Sequence, residues 1–169
     1  AGPAAGEYRS AGENMRQAAY GPIAAAANGA DLFFWSVLED GPESQAGLLR
    51  FGGARKSSYG ACRALIQRLC PFVQVHTLAA GPVAWAYRFD KAGGAGAIVA
   101  WTLRGANAKP LPVAGGGIQV YDLGGHLANA DTLLSADPLY YMGPLDSLEK
   151  AAAAWDELAA ANRSAQIPS

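Results

Sequence analysis

The chain has 169 residues, enough for one ordinary domain with a real core, and 51% of them are apolar against 16% charged. That balance excludes a disordered chain, and no apolar run reaches the roughly 18 residues that a membrane-crossing helix needs. A formal net charge of −1 without a Lys/Arg run leaves no basic footprint for nucleic acid, so neither nucleic acid nor a membrane is expected as a partner.

The opening Ala1-Gly2-Pro3-Ala4-Ala5-Gly6 reads as loop. It lacks an initiator Met and both the basic and the apolar part of a signal peptide, and it is expected to be the edge of a processed or excised chain. A helix follows from about Glu13 to Asn28, with Ser10 and Glu13 at capping-box spacing and Met15, Ala18, Ala19, Ile23, Ala26 and Ala27 on one face. Pro22 should kink it, and Asn28-Gly29 should end it in a left-handed turn. Leu32 to Leu38 is continuously apolar, the pattern of a parallel strand buried on both faces. A Gly- and acid-containing loop from Glu39 to Lys56 leads to a second helix from Ser57 or Ser58 to Leu69, which Pro71 terminates. Helix, buried strand, loop, helix is the rhythm of an α/β protein.

Cys62 and Cys70 fall in or just after that second helix, eight residues apart. This is about 12 Å of helical rise, whereas disulfide Cα atoms lie within about 7 Å. Both read as free core thiols. His76 and His126 are isolated, no metal-ligand spacing exists, and no cofactor is expected.

After Pro71 the pattern changes to short strands, at Val73–Leu78, Val83–Asp90, Ala97–Leu103, Gln119–Asp122 and Leu139–Met142. Glycine turns separate them, as in an antiparallel sandwich or barrel. Gly115-Gly116-Gly117 precedes a strand rather than a helix, so it is a turn and not a phosphate cradle. Trp85, Tyr87 and Phe89 alternate on one strand face, a row that suits the inward side of a sandwich or, alternatively, a sugar platform. A last helix runs from Leu145 to about Ala161, with Asp146 and Glu149 at capping spacing and Leu145, Leu148, Ala152, Trp155 and Leu158 on one side. The expected division is residues 1–71, 72–143 and 144–169.

A single parallel strand cannot satisfy its own backbone groups. Residues 1–71 therefore lack the strands that would complete a sheet, and another part of a parent chain or a partner chain should supply them.

Gly29-Ala30-Asp31-Leu32-Phe33-Phe34-Trp35-Ser36-Val37-Leu38-Glu39-Asp40-Gly41 resembles the eighth strand of clan A glycoside hydrolases, and Lys56-Ser57-Ser58-Tyr59 is similar to the helix start that follows it. Ala84 to Phe89, Ile98 to Thr102, Val120 to Gly125 and Asp137 to Tyr141 resemble strands of the sandwich appended to such barrels. The resemblance implies α/β plus all-β architecture: a partial (β/α)8 barrel segment, a small antiparallel β-sandwich and a C-terminal helix. It implies a retaining glycosidase as parent and a carbohydrate as substrate. Two carboxyls about 5 Å apart act as acid/base and nucleophile in such enzymes. The strand bearing the first lies outside this sequence, and Glu7 is a weak candidate for the second, so the chain alone is expected to be inactive.

The same resemblance makes Trp35 the floor of the subsite for the cleaved sugar, at the strand end where barrel active sites lie, and implies a cis peptide to Ser36. Glu39 and Asp40, at the mouth of that strand, would hydrogen-bond sugar hydroxyls or else cap the loop. Glu43, Ser44, Gln45 and Arg50 lie further along it. Two readings compete with the enzyme fragment. One is a non-catalytic carbohydrate-binding or packing module, and the other is an unrelated fold completed by a partner chain.

Overall fold

The computed structural model describes residues 11–30, 33–35, 38–41, 47–103, 105–113 and 117–155. Helices α1 (Ala11–Ala27) and α2 (Ser57–Leu69) precede strands β1 (Gln74–Ala80), β2 (Ala84–Asp90), β3 (Ala95–Thr102), β4 (Gln119–Tyr121) and β5 (Leu139–Pro144), and α3 (Leu145–Ala153) follows. α1 continues through Pro22. It closes as expected: Gly29, at φ 81°, donates to Ala26 O at 3.1 Å and Ala30 to Ala25 O at 3.0 Å. These two bonds satisfy carbonyls that the last helical turn leaves open.

The five strands join one antiparallel sheet in the order β1-β2-β3-β5-β4. Period-2 alternation divides its side chains between two faces. On one face Tyr87, Phe89, Val99, Trp101 and Tyr140 form a single core with Ala18, Ala19 and Ile23 of α1 and Ala61, Leu65 and Leu69 of α2. On the other, Ala84, Ala86, Ile98, Ala100, Leu139 and Tyr141 meet Leu148, Ala151 and Trp155 at the C-terminal end, together with Leu111 and Leu134 from the connecting segments. A mixed α/β layering results, with the sheet covered on both sides.

Small residues decide which element sits where. A Cβ on Gly96 would stand 3.1 Å from Leu148 Cδ1 and 3.2 Å from Leu145 Cδ1, so the glycine lets α3 close onto β3. α1 is fixed to the sheet by the Tyr20–Trp101 stack, with ring centroids 4.9 Å apart, and by the Arg16–Asp137 ion pair at 2.7 Å. The aromatic row of β2 thus lies under the helices. Tyr87 and Phe89 are buried and Trp85 is half-buried beside Trp101.

Three expectations need correction. No strand is assigned to residues 33–35 or 38, and Phe33, Phe34 and Leu38 are 46%, 81% and 62% exposed rather than buried on both faces. A strand holds its shape through ladder partners; here Leu38 O accepts from Leu48 N and Leu49 N, and Glu39 and Leu49 form an isolated parallel bridge rather than a ladder. Cys70 is exposed rather than a core thiol, while Cys62 is partly buried and packs on the first core. Asp146 and Glu149 do not cap α3: Pro144 is its N-cap without a side-chain bond, and Glu149 Oε1 instead accepts from Arg88 of β2 at 2.8 Å.

Candidate functional site

The loop between residue 38 and α2 folds back on itself. Leu48 and Leu49 both donate to Leu38 O at 2.9 Å, Asp40 N donates to Leu49 O at 2.9 Å, and Lys56 N donates to Leu48 O at 3.0 Å. Gly47 is required at the crossing point, because a Cβ there would fall 2.7 Å from both Asp40 N and the Glu39 carbonyl carbon. The fold-back brings Arg50, Phe51, Arg55 and Lys56 round to the first turn of α2.

The two carboxylates at the mouth of the predicted strand hold this loop. Glu39 Oε1 accepts from Gly52 N at 2.6 Å and Gly53 N at 3.2 Å, across a turn in which both glycines have positive φ. Asp40 Oδ1 accepts from Gly47 N at 3.0 Å, and its carboxylate pairs with Lys56 Nζ at 2.9 and 3.1 Å. Both members of that pair are only 13% exposed, so the attraction is less screened than at an open surface. These contacts match the loop-capping alternative. Each carboxylate keeps lone pairs beyond those bonds.

A cleft of about 510 Å³ opens beside the loop. Its described lining comprises Asn14 of α1, Asp40 and Gly41, the basic residues Arg50, Arg55 and Lys56, Phe51, and Ser57 and Ser58 at the start of α2. Arg55 lies over the Tyr59 ring, 4.9 Å from its centroid. Ser58 is 2% exposed, and its hydroxyl has no hydrogen-bond partner among the described residues.

The structure brings only some of the predicted site residues together. Asp40 and Arg50 line the cleft; Trp35 and Glu39 do not. Trp35 is half-buried against the first core with its ring 6.3 Å from Phe33. Glu7, Ser36, Glu43, Ser44 and Gln45 fall outside the described residues, as does the peptide bond between Trp35 and Ser36. Arg55 and Ser58 went unread as site residues. Three basic residues within seven positions, directly before a predicted helix start at Ser57-Ser58, were the available signal. Among the described residues no group of three His, Cys, Asp or Glu could hold a metal.

Two buried tyrosines of β5 point to opposite faces of the sheet. Burial pushes the Tyr141 hydroxyl up to about 12, against a smaller lowering from its bond with Leu111 N, and raises that of Tyr140 further. Neither lines the cleft.

No family model matches the sequence, and neither does any curated protein. Among solved structures the chain is similar to a family 39 glycoside hydrolase from the gut symbiont Bacteroides cellulosilyticus WH2, with a TM-score of 0.64 at 20% identity. The match covers 80% of this chain and 31% of that one. The likeness is one of fold: the chain has the architecture of about a third of that hydrolase.

Proposed function

We propose that this chain is the C-terminal portion of a retaining glycoside hydrolase, in which it supplies one wall of a sugar subsite and a structural β-rich domain. The observation that carries the reading is the fold match, which takes in most of this chain and under a third of the hydrolase. The exposed stretch around Phe33, Phe34 and Leu38 supports it, since a barrel strand separated from its neighbours would leave such side chains uncovered. In this reading the rest of the barrel, from a parent chain or a partner, carries the acid/base and nucleophile carboxyls. Trp35 then offers a ring face to the C–H surface of a sugar, and Ser36, Glu39 and Asp40 stand near its hydroxyls. Residues 1–71 belong to the barrel, 72–143 to the appended domain, and 144–169 to a C-terminal helix and tail.

The carbohydrate-binding module is the weaker reading. The aromatic row that would form its platform is engaged with α1 and α2.

Two measurements test the proposal. The 169-residue chain alone should turn over no aryl glycoside, and any turnover refutes the assignment of the catalytic carboxyls to the missing part. In the full-length parent, Trp35→Ala should lower kcat/KM on the order of a hundredfold, the size of a positioning defect, with little change in melting temperature. Equal losses of activity and stability would return Trp35 to the core.

A further inference from the structure

Of the described lining of the cleft beside α2 the glycosidase reading uses Asp40, and it leaves the basic residues and the helix start unused. α2 begins without a side-chain cap: Lys56 is its N-cap, at φ −90° and ψ 167°, and an ammonium cannot accept a bond from the first amides. Tyr59 N donates to Lys56 O at 3.1 Å, but the amides of Ser57 and Ser58 have no acceptor among the described residues. They are orphan donors at the positive end of a 13-residue helix.

Beyond the helix terminus there is a second, independent feature. Ser58 is almost wholly buried and lines the cleft, yet its hydroxyl has no partner among the described residues. An unsatisfied hydroxyl at that depth is unfavourable, and an acceptor seated at the helix start would relieve it. Charge indicates which acceptor. Lys56 and Asp40 neutralise one another, whereas Arg50 and Arg55 have no ion pair among the described residues. Glu39, the other described carboxylate of the loop, is taken up by the Gly52 and Gly53 amides. The described lining therefore carries two positive charges in excess, presented as guanidinium forks that suit oxyanions.

We infer that this cleft binds a phosphate-type dianion, held by Arg50 and Arg55 and by the amides and hydroxyls of Ser57 and Ser58. The group could be free phosphate or the phosphate of a monoester. A singly charged carboxylate leaves one of the two positive charges uncompensated. The site is a property of this chain's own residues and does not depend on the glycosidase reading.

The test titrates the 169-residue chain at fixed ionic strength with inorganic phosphate, glucose 6-phosphate and glucuronate. Heat and the NMR shifts of the Ser57 and Ser58 amides are the readouts. Saturable phosphate binding that moves both amides is expected. Arg50→Gln and Arg55→Gln should each weaken it about tenfold, the size of one charge-assisted bond. Ser58→Ala should weaken it less, and Arg63→Gln, which removes an exposed cation of α2 outside the cleft, should leave it unchanged. Tighter binding of glucose 6-phosphate than of phosphate identifies a monoester as the ligand, and the reverse identifies free phosphate; either supports the site. Absence of saturable binding, equal weakening by Arg63→Gln and Arg50→Gln, or glucuronate binding as tightly as phosphate would each overturn the inference. Hydrolysis by the parent is a separate readout, so one proposal can fail without the other.

Discussion

Tyr140 and Tyr141 are neighbours in β5 that point to opposite faces of the sheet, and both are fully buried. Tyr141 Oη accepts from Leu111 N at 3.4 Å, whereas Tyr140 Oη has no partner among the described residues. Burial holds both hydroxyls in the neutral form well above the usual value of 10. The sign follows directly: a folded-state pKa above the unfolded one means that the stability is complete below pH 10 and is lost as the pH climbs toward 12 and beyond. Over that window the unfolded chain has released protons that the folded chain still holds, so each tyrosine steepens the loss by about 1.4 kcal/mol per pH unit. Urea denaturation at stepped pH between 9 and 12 checks this, and a flat stability profile would contradict the burial. Tyr140→Phe should flatten the profile. At neutral pH it should also leave stability unchanged or raise it by up to about 1 kcal/mol, because it removes an unsatisfied hydroxyl.

At the level of elements, α1, α2 and all five strands of the sheet were legible in the sequence. The reason is local. Met15, Ala18, Ala19 and Ile23 carry a helical period, Trp85, Tyr87 and Phe89 carry a strand period, and glycines mark the breaks. The capping of α3 was not legible, because Glu149 is drawn to Arg88, 61 residues away in sequence, and local spacing carries no such information. The cleft was half legible. Its basic residues and serines are adjacent in the chain, but the fold-back that gathers them depends on Gly47 meeting the Glu39–Asp40 backbone. The seat of α3 gives a direct test of element packing. Gly96→Ala places a methyl group against Leu148 and Leu145 and should destabilise by about 1–3 kcal/mol. Leu148→Ala opens the space that this methyl group needs, so the double variant should lose less than the two single losses added together. Strict additivity in a urea-denaturation cycle would show that Leu148 does not rest on Gly96.

Across the described residues, the two faces of the sheet are covered while several large apolar side chains before and on α2 are not. Phe34 and Phe51 are 81% and 79% exposed, Leu38 is 62% exposed, and α2 turns Ile66 outward at 53%. The sequence marked Leu32–Leu38 as doubly buried because the run is apolar but for Ser36, and local pattern does not say what, if anything, covers such a run. If the rest of a barrel covers this segment, the effect of a substitution depends on the chain in which it is made. Phe34→Ser in the 169-residue chain removes an exposed ring and should change stability by less than about 0.5 kcal/mol. The same substitution in the full-length parent opens a cavity between packed strands and should cost about 3–5 kcal/mol. Chemical denaturation of both pairs gives the comparison. Matching small effects in the two contexts would mean that Phe34 faces solvent in the parent as well, and the barrel assignment of residues 1–71 would fall with it.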